Sequence, residues 1–222
     1  MSLNRAYFSV VCWREISFLK HLKFMPIHNT RPYCAICHYP TSTCLCSAID
    51  EVLVPVEIVI LQHPKEKDHA KNTARLVALC IPNATIISTN DEKAINTLRE
   101  NCLPTNSALI YPNDVSEPLE GGLATPIQSL HNLVFIDGSW KQAYGVIQQN
   151  NWLKTLPSYH FKHAPQSNYA IRHTTINNAL STLEAVAYTL SNVLGTDVSA
   201  LYNAQNALQQ QWQGPLSHRR KY

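Results

Sequence analysis

The feature that most constrains the fold is an alternation of short apolar segments with helix-periodic segments, which begins near Glu51. The apolar segments predict four strands, at residues 52–62, 84–88, 107–111 and 133–137. The remaining segments predict helices, at residues 68–80, 91–101, 141–150, 178–194 and 197–213. Nearly continuous apolar strands separated by helices are typical of parallel sheets covered on both faces. The sequence therefore predicts an α/β fold with a mostly parallel sheet and helices on both faces.

The composition narrows the class of protein. The chain of 222 residues is 45% hydrophobic and 15% charged, which fits one globular domain with a substantial core. This composition excludes a disordered, collagen-like or coiled-coil protein. No run of about 18 uncharged apolar residues occurs, so we predict no membrane span and no membrane partner. The formal net charge of +3 permits contact with nucleic acid but does not imply it.

The amino-terminal residues do not have the pattern of a signal peptide. Arg14 and Glu15 interrupt their apolar patches, and no small-residue cleavage site follows. We therefore expect a cytoplasmic protein. Residues 1–24 are expected to be a poorly ordered extension or a result of start-site choice, because Met25 stands just before the first motif. The predicted organisation is this extension, a cysteine-rich segment at 25–50 and an α/β domain at 51–222.

Four cysteines lie within 13 residues, in the order Cys34, Cys37, Cys44 and Cys46. Close pairs of thiolates on two turns can supply the tetrahedral ligands of a structural zinc ion, and His38 is a possible substitute ligand. Disulfides or chance clustering are the alternatives. Disulfides are disfavoured because the chain lacks a secretory signal and the cytosol keeps thiols reduced. A closed site of this kind supports folding and does not identify the chemistry.

Polar and aromatic side chains follow three of the predicted strands. They are Gln62-His63, Tyr111-Pro112 and Asp137-Gly138-Ser139-Trp140. Because open parallel sheets bind ligands at the carboxyl ends of their strands, we predict a binding site there, beside the long loop at 112–126. The structural alternatives are that Asp137 or Ser139 caps the next helix and that Trp140 lies in the core. No glycine-rich phosphate loop follows a strand, which argues against a nucleotide-binding fold of that type.

These motifs resemble those of a known family. Asp137-Gly138-Ser139-Trp140 resembles the Asp-x-Thr-Trp motif of the DTW-domain family, with a serine that keeps the hydroxyl group of threonine and loses its methyl group. The cysteine spacing is similar to that family's amino-terminal metal motif. Further matches follow in the family's order: Asn72-Thr73-Ala74-Arg75-Leu76, Tyr111-Pro112, Arg172 and Thr182-Leu183-Glu184-Ala185. The resemblance covers most of the chain, from about residue 31 to residue 194.

The resemblance implies a tRNA-modifying enzyme. Members of the family are tRNA-uridine aminocarboxypropyltransferases, which move the 3-amino-3-carboxypropyl group of S-adenosylmethionine to N3 of a uridine and release methylthioadenosine. Their fold is related to the SPOUT class, in which the cofactor lies in a carboxy-terminal trefoil knot. The expected cofactors are therefore S-adenosylmethionine as co-substrate and a structural zinc ion, and the expected partner is tRNA. The sequence does not specify the oligomeric state.

The site residues follow from the same motifs. Those expected to act in catalysis are Asp137, Ser139 and Trp140. Those expected to bind the cofactor are Asn72, Thr73, Arg75, Tyr111, Pro112, Asp137, Arg172 and Glu184. Asp137 is the candidate base for the N3 proton, and Trp140 offers a stacking face for a splayed-out base. Arg75 and Arg172 suit a carboxylate or a phosphate, with a structural ion pair as the alternative. Glu184 would pair with one of these arginines or with the cofactor's ammonium group.

Two other functions fit the same residues. One is an S-adenosylmethionine-dependent RNA methyltransferase that uses the same pocket. The other is a zinc-containing RNA-binding module without catalytic activity. Release of methylthioadenosine indicates aminocarboxypropyl transfer, whereas release of S-adenosylhomocysteine indicates methylation, and cofactor binding excludes the inactive module.

Overall fold

The computed structural model describes residues 32–171 and 179–211. The described residues from Tyr33 onwards form one compact unit. The predicted extension at 1–24, Arg172 and the basic residues at 218–221 lie outside the described residues. Within the described ranges the chain forms a six-stranded parallel sheet and five α-helices, so the α/β prediction is confirmed.

The sheet has the strand order β2-β1-β5-β3-β6-β4, and every neighbouring pair is parallel. The strands are β1 (Glu57–Gln62), β2 (Ala84–Ser88), β3 (Ser107–Ile110), β4 (Glu117–Pro118), β5 (Asn132–Asp137) and β6 (Ser158–His160). The predicted strand at 52–62 begins later, at Glu57, because Pro55 has no N–H group for the ladder. In the central pair, Gln62 is registered with Asp137, so the carboxyl ends of β1 and β5 lie side by side.

The helices are α1 (Ala74–Cys80), α2 (Glu92–Asn101), α3 (Trp140–Gln149), α4 (Thr182–Leu194) and α5 (Ser199–Gln211). Side chains cap the starts of three of the five described α-helices: Asp91 before α2, Ser139 before α3 and Ser181 before α4. The predicted helix at 68–80 starts only at Ala74, because residues 67–73 form turns and bends. The predicted helix at 178–194 starts at Thr182, after a capping box between Ser181 and Glu184.

Helices cover both faces of the sheet. On one face, alternate strand residues such as Ile58 and Ile60 pack with α1, α4 and α5 in the larger core cluster. On the other face, Val59 and Leu61 pack with α2 and α3 in a second cluster. This alternation explains why the central strands have continuous apolar sequences. Among the described residues, none of the helices combines the length and the apolar character that crossing a bilayer requires.

Candidate functional site

A buried carboxylate lies at the carboxyl end of the central strand β5. Asp137 is only 1% exposed. Its Oδ2 accepts hydrogen bonds from Gln62 Nε2 at 3.0 Å and from Asn72 Nδ2 at 2.6 Å. Its Oδ1 accepts a hydrogen bond from the Thr182 hydroxyl at 2.6 Å. The carboxylate therefore joins the end of β1, the segment before α1 and the first residue of α4.

Hydrogen bonds beside this carboxylate connect the start of α1 with the start of α4. The side chain of Asn72 also accepts a hydrogen bond from the Arg75 amide at 3.2 Å, at the start of α1. The hydroxyl of Thr73 accepts a hydrogen bond from the Leu183 amide at 3.3 Å. Both Asn72 and Thr73 are buried. The predicted Asn72-Thr73 motif is thus part of a packed junction beside Asp137.

Ser139 is the residue that caps α3. Its hydroxyl accepts a hydrogen bond from the Gln142 amide, and the Gln142 side chain accepts one from the Ser139 amide, which completes a capping box. Asp137 therefore does not cap this helix, and the interpretation of Asp137 as a simple cap is wrong. The cap fixes the position at which Trp140 begins the helix.

A cavity of about 300 Å³ lies beside this junction, at the carboxyl ends of β3, β5 and β6 and the start of α4. Its lining is mostly apolar and aromatic, and it comprises Ile110, Tyr111, Pro112, Phe135, Ile136, Gly138, Trp140, Ala143, Tyr159, His160, Phe161, Lys162, Ala164, Ala179, Leu180, Thr182 and Ala185. The rings of Tyr111 and Trp140 are 6.4 Å apart at a tilt of 47°. Burial raises the pKa of Tyr111 above its usual value. Thr182 belongs to the lining and also contacts Asp137, so it connects the cavity to the buried carboxylate.

The carboxylate of Glu120 binds the segment after β6, which forms one wall of the cavity. Glu120 accepts hydrogen bonds from the amides of Lys162 at 3.2 Å and His163 at 2.8 Å, and from the Tyr188 hydroxyl at 2.8 Å. Burial acts to raise the pKa of Glu120, but these hydrogen bonds outweigh it and lower the pKa to about 2. Burial and the bond to Glu120 raise the pKa of Tyr188 to about 12. The segment after β6 is therefore tied to α4, where the Tyr188 ring also contacts Phe161 at 5.0 Å.

The predicted site residues separate into groups. Tyr111, Pro112 and Trp140 line the cavity, and Asp137 and Asn72 form the buried junction beside it.

Arg75 and Glu184 lie elsewhere and do not pair with each other. The Arg75 guanidinium donates to the carbonyls of His38 and Lys67 and lies 5.1 Å from the centre of the Tyr39 ring. The buried carboxylate of Glu184 accepts hydrogen bonds from four donors: Ser167 Oγ, the amides of Asn168 and Ser181, and Gln205 Nε2. Arg75 therefore fixes the cysteine-rich segment, and Glu184 fixes the chain that precedes α4.

Sequence reasoning missed part of the site. The sequence predicts that Gln62 lies at a strand end and that Thr182 belongs to a family motif, but it assigns neither residue a role in the site. The wall contributed by β6 was not predicted, because three residues are too few for a strand pattern to be recognised. The available signal was Tyr159 and Phe161, two aromatic residues on either side of His160 shortly after Pro157.

The four predicted metal ligands come together. The sulfur atoms of Cys34, Cys37, Cys44 and Cys46 all lie within 4.8 Å of one another, with Sγ–Sγ distances of 3.6 Å for Cys34 and Cys46 and 3.7 Å for Cys37 and Cys44. Zinc–sulfur bonds of ~2.3 Å in a tetrahedron require sulfur separations of about 3.8 Å, which these distances match. His38 is not part of this group, and its positive φ of 57° closes the turn that follows Cys37.

The thiols themselves have unequal acidities. Backbone N–H groups of Cys37 and Ile36 lower the pKa of Cys34 to about 6. Hydrogen bonds with Cys44 and Cys34 raise the pKa of Cys46 to about 12. Adjacent thiolates repel each other, so a full set of four thiolates requires a cation between them.

Comparisons with known proteins bear on this site. The profile of the DTW domain matches residues 31–216. The tRNA-uridine aminocarboxypropyltransferase 2 of Mus musculus is 28% identical over 175 residues, which are 75% of this chain and 59% of that protein. The protein of the same name from Drosophila melanogaster is 30% identical over 172 residues, which are 73% of this chain and 67% of that protein. The tRNA-uridine aminocarboxypropyltransferase A of Arabidopsis thaliana is 27% identical over 139 residues, or 54% of this chain and 52% of that protein.

The relatives are longer than the matched region. The chain spans 56% and 59% of the macaque and mouse proteins named tRNA-uridine aminocarboxypropyltransferase 2. No solved structure matches the chain.

Proposed function

The chain belongs to the DTW-domain family, and from that premise we propose that it transfers the 3-amino-3-carboxypropyl group of S-adenosylmethionine to N3 of a tRNA uridine. In this reaction the N3–carbon bond forms as the carbon–sulfur bond of the donor breaks. The N3 proton is released to solvent water, directly or through a base, and methylthioadenosine leaves as a neutral thioether. The relatives named tRNA-uridine aminocarboxypropyltransferase support this assignment.

The observation that carries the proposal is the cavity beside the Asp137 junction. Its volume of about 300 Å³ is at the lower end of the range for small-molecule pockets, and its apolar walls with few polar groups are typical of such pockets. Tyr111, Pro112 and Trp140, which the family motifs supplied, are part of its lining. Aromatic faces suit both the adenine of the donor and the uracil of the acceptor. We therefore propose that both substrates bind at the carboxyl ends of β3, β5 and β6.

For Asp137 we propose a positioning role. Its carboxylate is buried and already accepts three hydrogen bonds. Through Thr182 it fixes the first residue of α4, which forms part of the cavity wall. The hypothesis that Asp137 removes the N3 proton directly stays a prediction, and a comparison of Asp137 and Thr182 variants distinguishes the two roles.

For the cysteine cluster we propose a structural zinc ion held by Cys34, Cys37, Cys44 and Cys46. The spacing of the four sulfur atoms supports this ligand set. Leu45 and Cys37 are fully buried in the same core cluster as β1 and α1. The ion would hold this segment against the sheet and would take no part in the transfer.

We further propose that the fold is SPOUT-like and knotted, and that the protein acts in the cytoplasm. In the sheet the later strand β5 lies between β1 and β3, and the knot itself is inferred from the family. The cavity lies where β3, β5 and β6 end and α4 begins, so most of its lining comes from the second half of the chain. Both statements rest on the family assignment.

Mass spectrometry of tRNA nucleosides tests the function. The tRNA from cells with the protein is compared with that from cells that lack it and from cells that carry a Trp140→Ala variant. We expect aminocarboxypropyluridine only with the wild-type protein. Loss of a methylated uridine from the deletion strain would instead assign the protein to the methyltransferases, and an unchanged nucleoside profile would contradict any modifying role.

A further inference from the structure

The helix α3 presents two aromatic side chains to solvent directly beside the cavity. Trp140 is 44% exposed and Tyr144 is 59% exposed. They are four residues apart, so their side chains lie one above the other on the same side of the helix. The residues of α3 that pack against the sheet are Ala143, Val146 and Ile147. Large exposed aromatic side chains next to a binding cavity usually mark a contact surface.

This surface is continuous with the cavity. Tyr111 lines the cavity, and its ring centre is 6.4 Å from that of Trp140. Tyr144 lies one helical turn after Trp140 in α3, on the side of Trp140 that faces away from the start of the helix. Tyr111, Trp140 and Tyr144 therefore form an aromatic strip that begins in the cavity and extends outward along α3.

Two lysines lie near the strip. Residues 138–183, which include α3 and β6, contain no Asp or Glu. Lys141 belongs to α3, and Lys162 lines the cavity. Lys141 is exposed and follows Trp140 directly. Lysines beside a cavity attract a polyanion, and exposed rings next to lysines are the combination that unpaired nucleotides bind.

We propose that Tyr144 stacks on an unpaired nucleotide of tRNA next to the target uridine, while Lys141 lies near its phosphate. This inference rests on the proposed function, because it assumes that the uridine enters the cavity past Trp140. The ring of Tyr144 then determines how tightly the flanking nucleotide is held. It does not contact the donor and takes no part in the transfer step.

The test measures the affinity for an unmodified tRNA transcript, independently of transfer. We expect Tyr144→Ala to weaken the Kd about 5- to 150-fold, which corresponds to the ~1–3 kcal/mol of one base–aromatic stack. Tyr144→Phe keeps the ring and should bind like the wild type, whereas Tyr144→Leu is apolar without a ring and should bind like the alanine variant. The maximal rate at saturating tRNA and the affinity for S-adenosylmethionine should stay unchanged in all three.

Leu103→Ala serves as the matched control. Leu103 is 48% exposed and precedes β3, so it lies at the amino-terminal ends of the strands, whereas the cavity lies at their carboxyl ends. Its truncation should leave tRNA affinity unchanged. Equal tRNA affinity for the wild type and Tyr144→Ala would overturn the proposal. A change in sedimentation without a change in tRNA affinity would also overturn it and would assign the strip to contacts between copies of the chain. Failure of the proposed function is a separate result: the wild type binds tRNA but forms no modified uridine.

Discussion

The side chain of Asp137 connects three parts of the chain that are far apart in sequence. An ionised carboxylate is costly to bury unless hydrogen bonds replace those lost from water. Gln62, Asn72 and Thr182 provide three such bonds. Removing the acceptor would leave buried donors without partners, at about 1–3 kcal/mol each. The geometry of the cavity wall therefore depends on this one side chain.

A double-mutant cycle separates the two roles of Asp137. If Asp137 positions α4, Thr182→Val should reduce turnover about as strongly as Asp137→Ala, which removes the acceptor, of the order of 10²-fold, and Thr182→Ser, which keeps the hydroxyl, should preserve it. The double variant should lose little more than either single variant, since both break the same contact. The measurement is single-turnover transfer at saturating substrates, with the pH–rate profile recorded for each variant.

A base at this position gives a different result. Asp137→Asn would then lose about 10²–10⁴-fold in turnover while Thr182→Val kept most of it. The acidic limb of the pH–rate profile would disappear in Asp137→Asn alone. That outcome would contradict the positioning role and support the direct removal of the N3 proton.

Sequence reasoning located part of this site at the level of single residues. Tyr111, Pro112 and Trp140 follow recognisable strands, and the rule that ligands bind at strand ends places them together. The partnership of Asp137 with Thr182 could not be predicted in this way. Thr182 follows Asp137 by 45 residues in the sequence. Their contact depends on how α4 packs against the sheet, and local sequence patterns do not predict that packing.

Among the elements, the segment after β6 depends on a contact with α4. Glu120 accepts hydrogen bonds from this segment and from Tyr188, and its pKa is lowered to about 2 from the ordinary value of 4.5. A carboxyl group with a lowered pKa stabilises the folded protein when it is ionised. This contribution is complete above pH 4.5 and is lost as the pH falls towards 2.

Glu120→Gln should therefore lower the free energy of unfolding at pH 6 but not at pH 2. The difference between the wild type and the variant should shrink between pH 4.5 and pH 2. Urea unfolding at a series of pH values measures it, and Glu117→Gln, an exposed residue of β4, serves as the control. A difference that stays constant across this range would show that the carboxylate of Glu120 does not stabilise the wall.

The strands show why some elements are predictable and others are not. β1, β3 and β5 are buried on both faces, so their apolar runs identify them directly. β6 has three residues, and its extended conformation depends on pairing with β3 and β4. Helix starts were misplaced by a few residues because caps such as Ser181 act through side-chain geometry that periodicity does not contain.

At the scale of the whole molecule, the cysteine-rich segment is part of the larger core. Leu45, Cys37 and Tyr39 are buried in the cluster that also contains β1, α1 and α5. The side chain of Gln211, the last residue of α5, donates to the Cys44 carbonyl at 3.1 Å. Loss of a metal from this segment should therefore affect the stability of the domain as a whole.

Zinc removal tests this connection. We expect about one zinc ion per chain, lost in Cys44→Ser, with a fall in melting temperature of ~5–10 °C for a loss of ~2–3 kcal/mol in a chain of this size. Cys102→Ser removes a buried thiol from the second core cluster and should keep its zinc. Two results would contradict the structural role: a wild-type protein that contains no zinc after purification under reducing conditions, or a zinc-containing protein whose melting temperature does not change after chelation.

We propose that this α/β domain transfers an aminocarboxypropyl group to uridine, and the identity of the released sulfur compound tests this proposal. Purified protein is incubated with S-adenosylmethionine and an unmodified tRNA transcript, and the sulfur-containing product is identified by mass spectrometry. We predict methylthioadenosine, formed in a 1:1 ratio with N3-substituted uridine and absent without tRNA. Release of S-adenosylhomocysteine, or no product from a protein that binds both substrates, would contradict aminocarboxypropyl transfer.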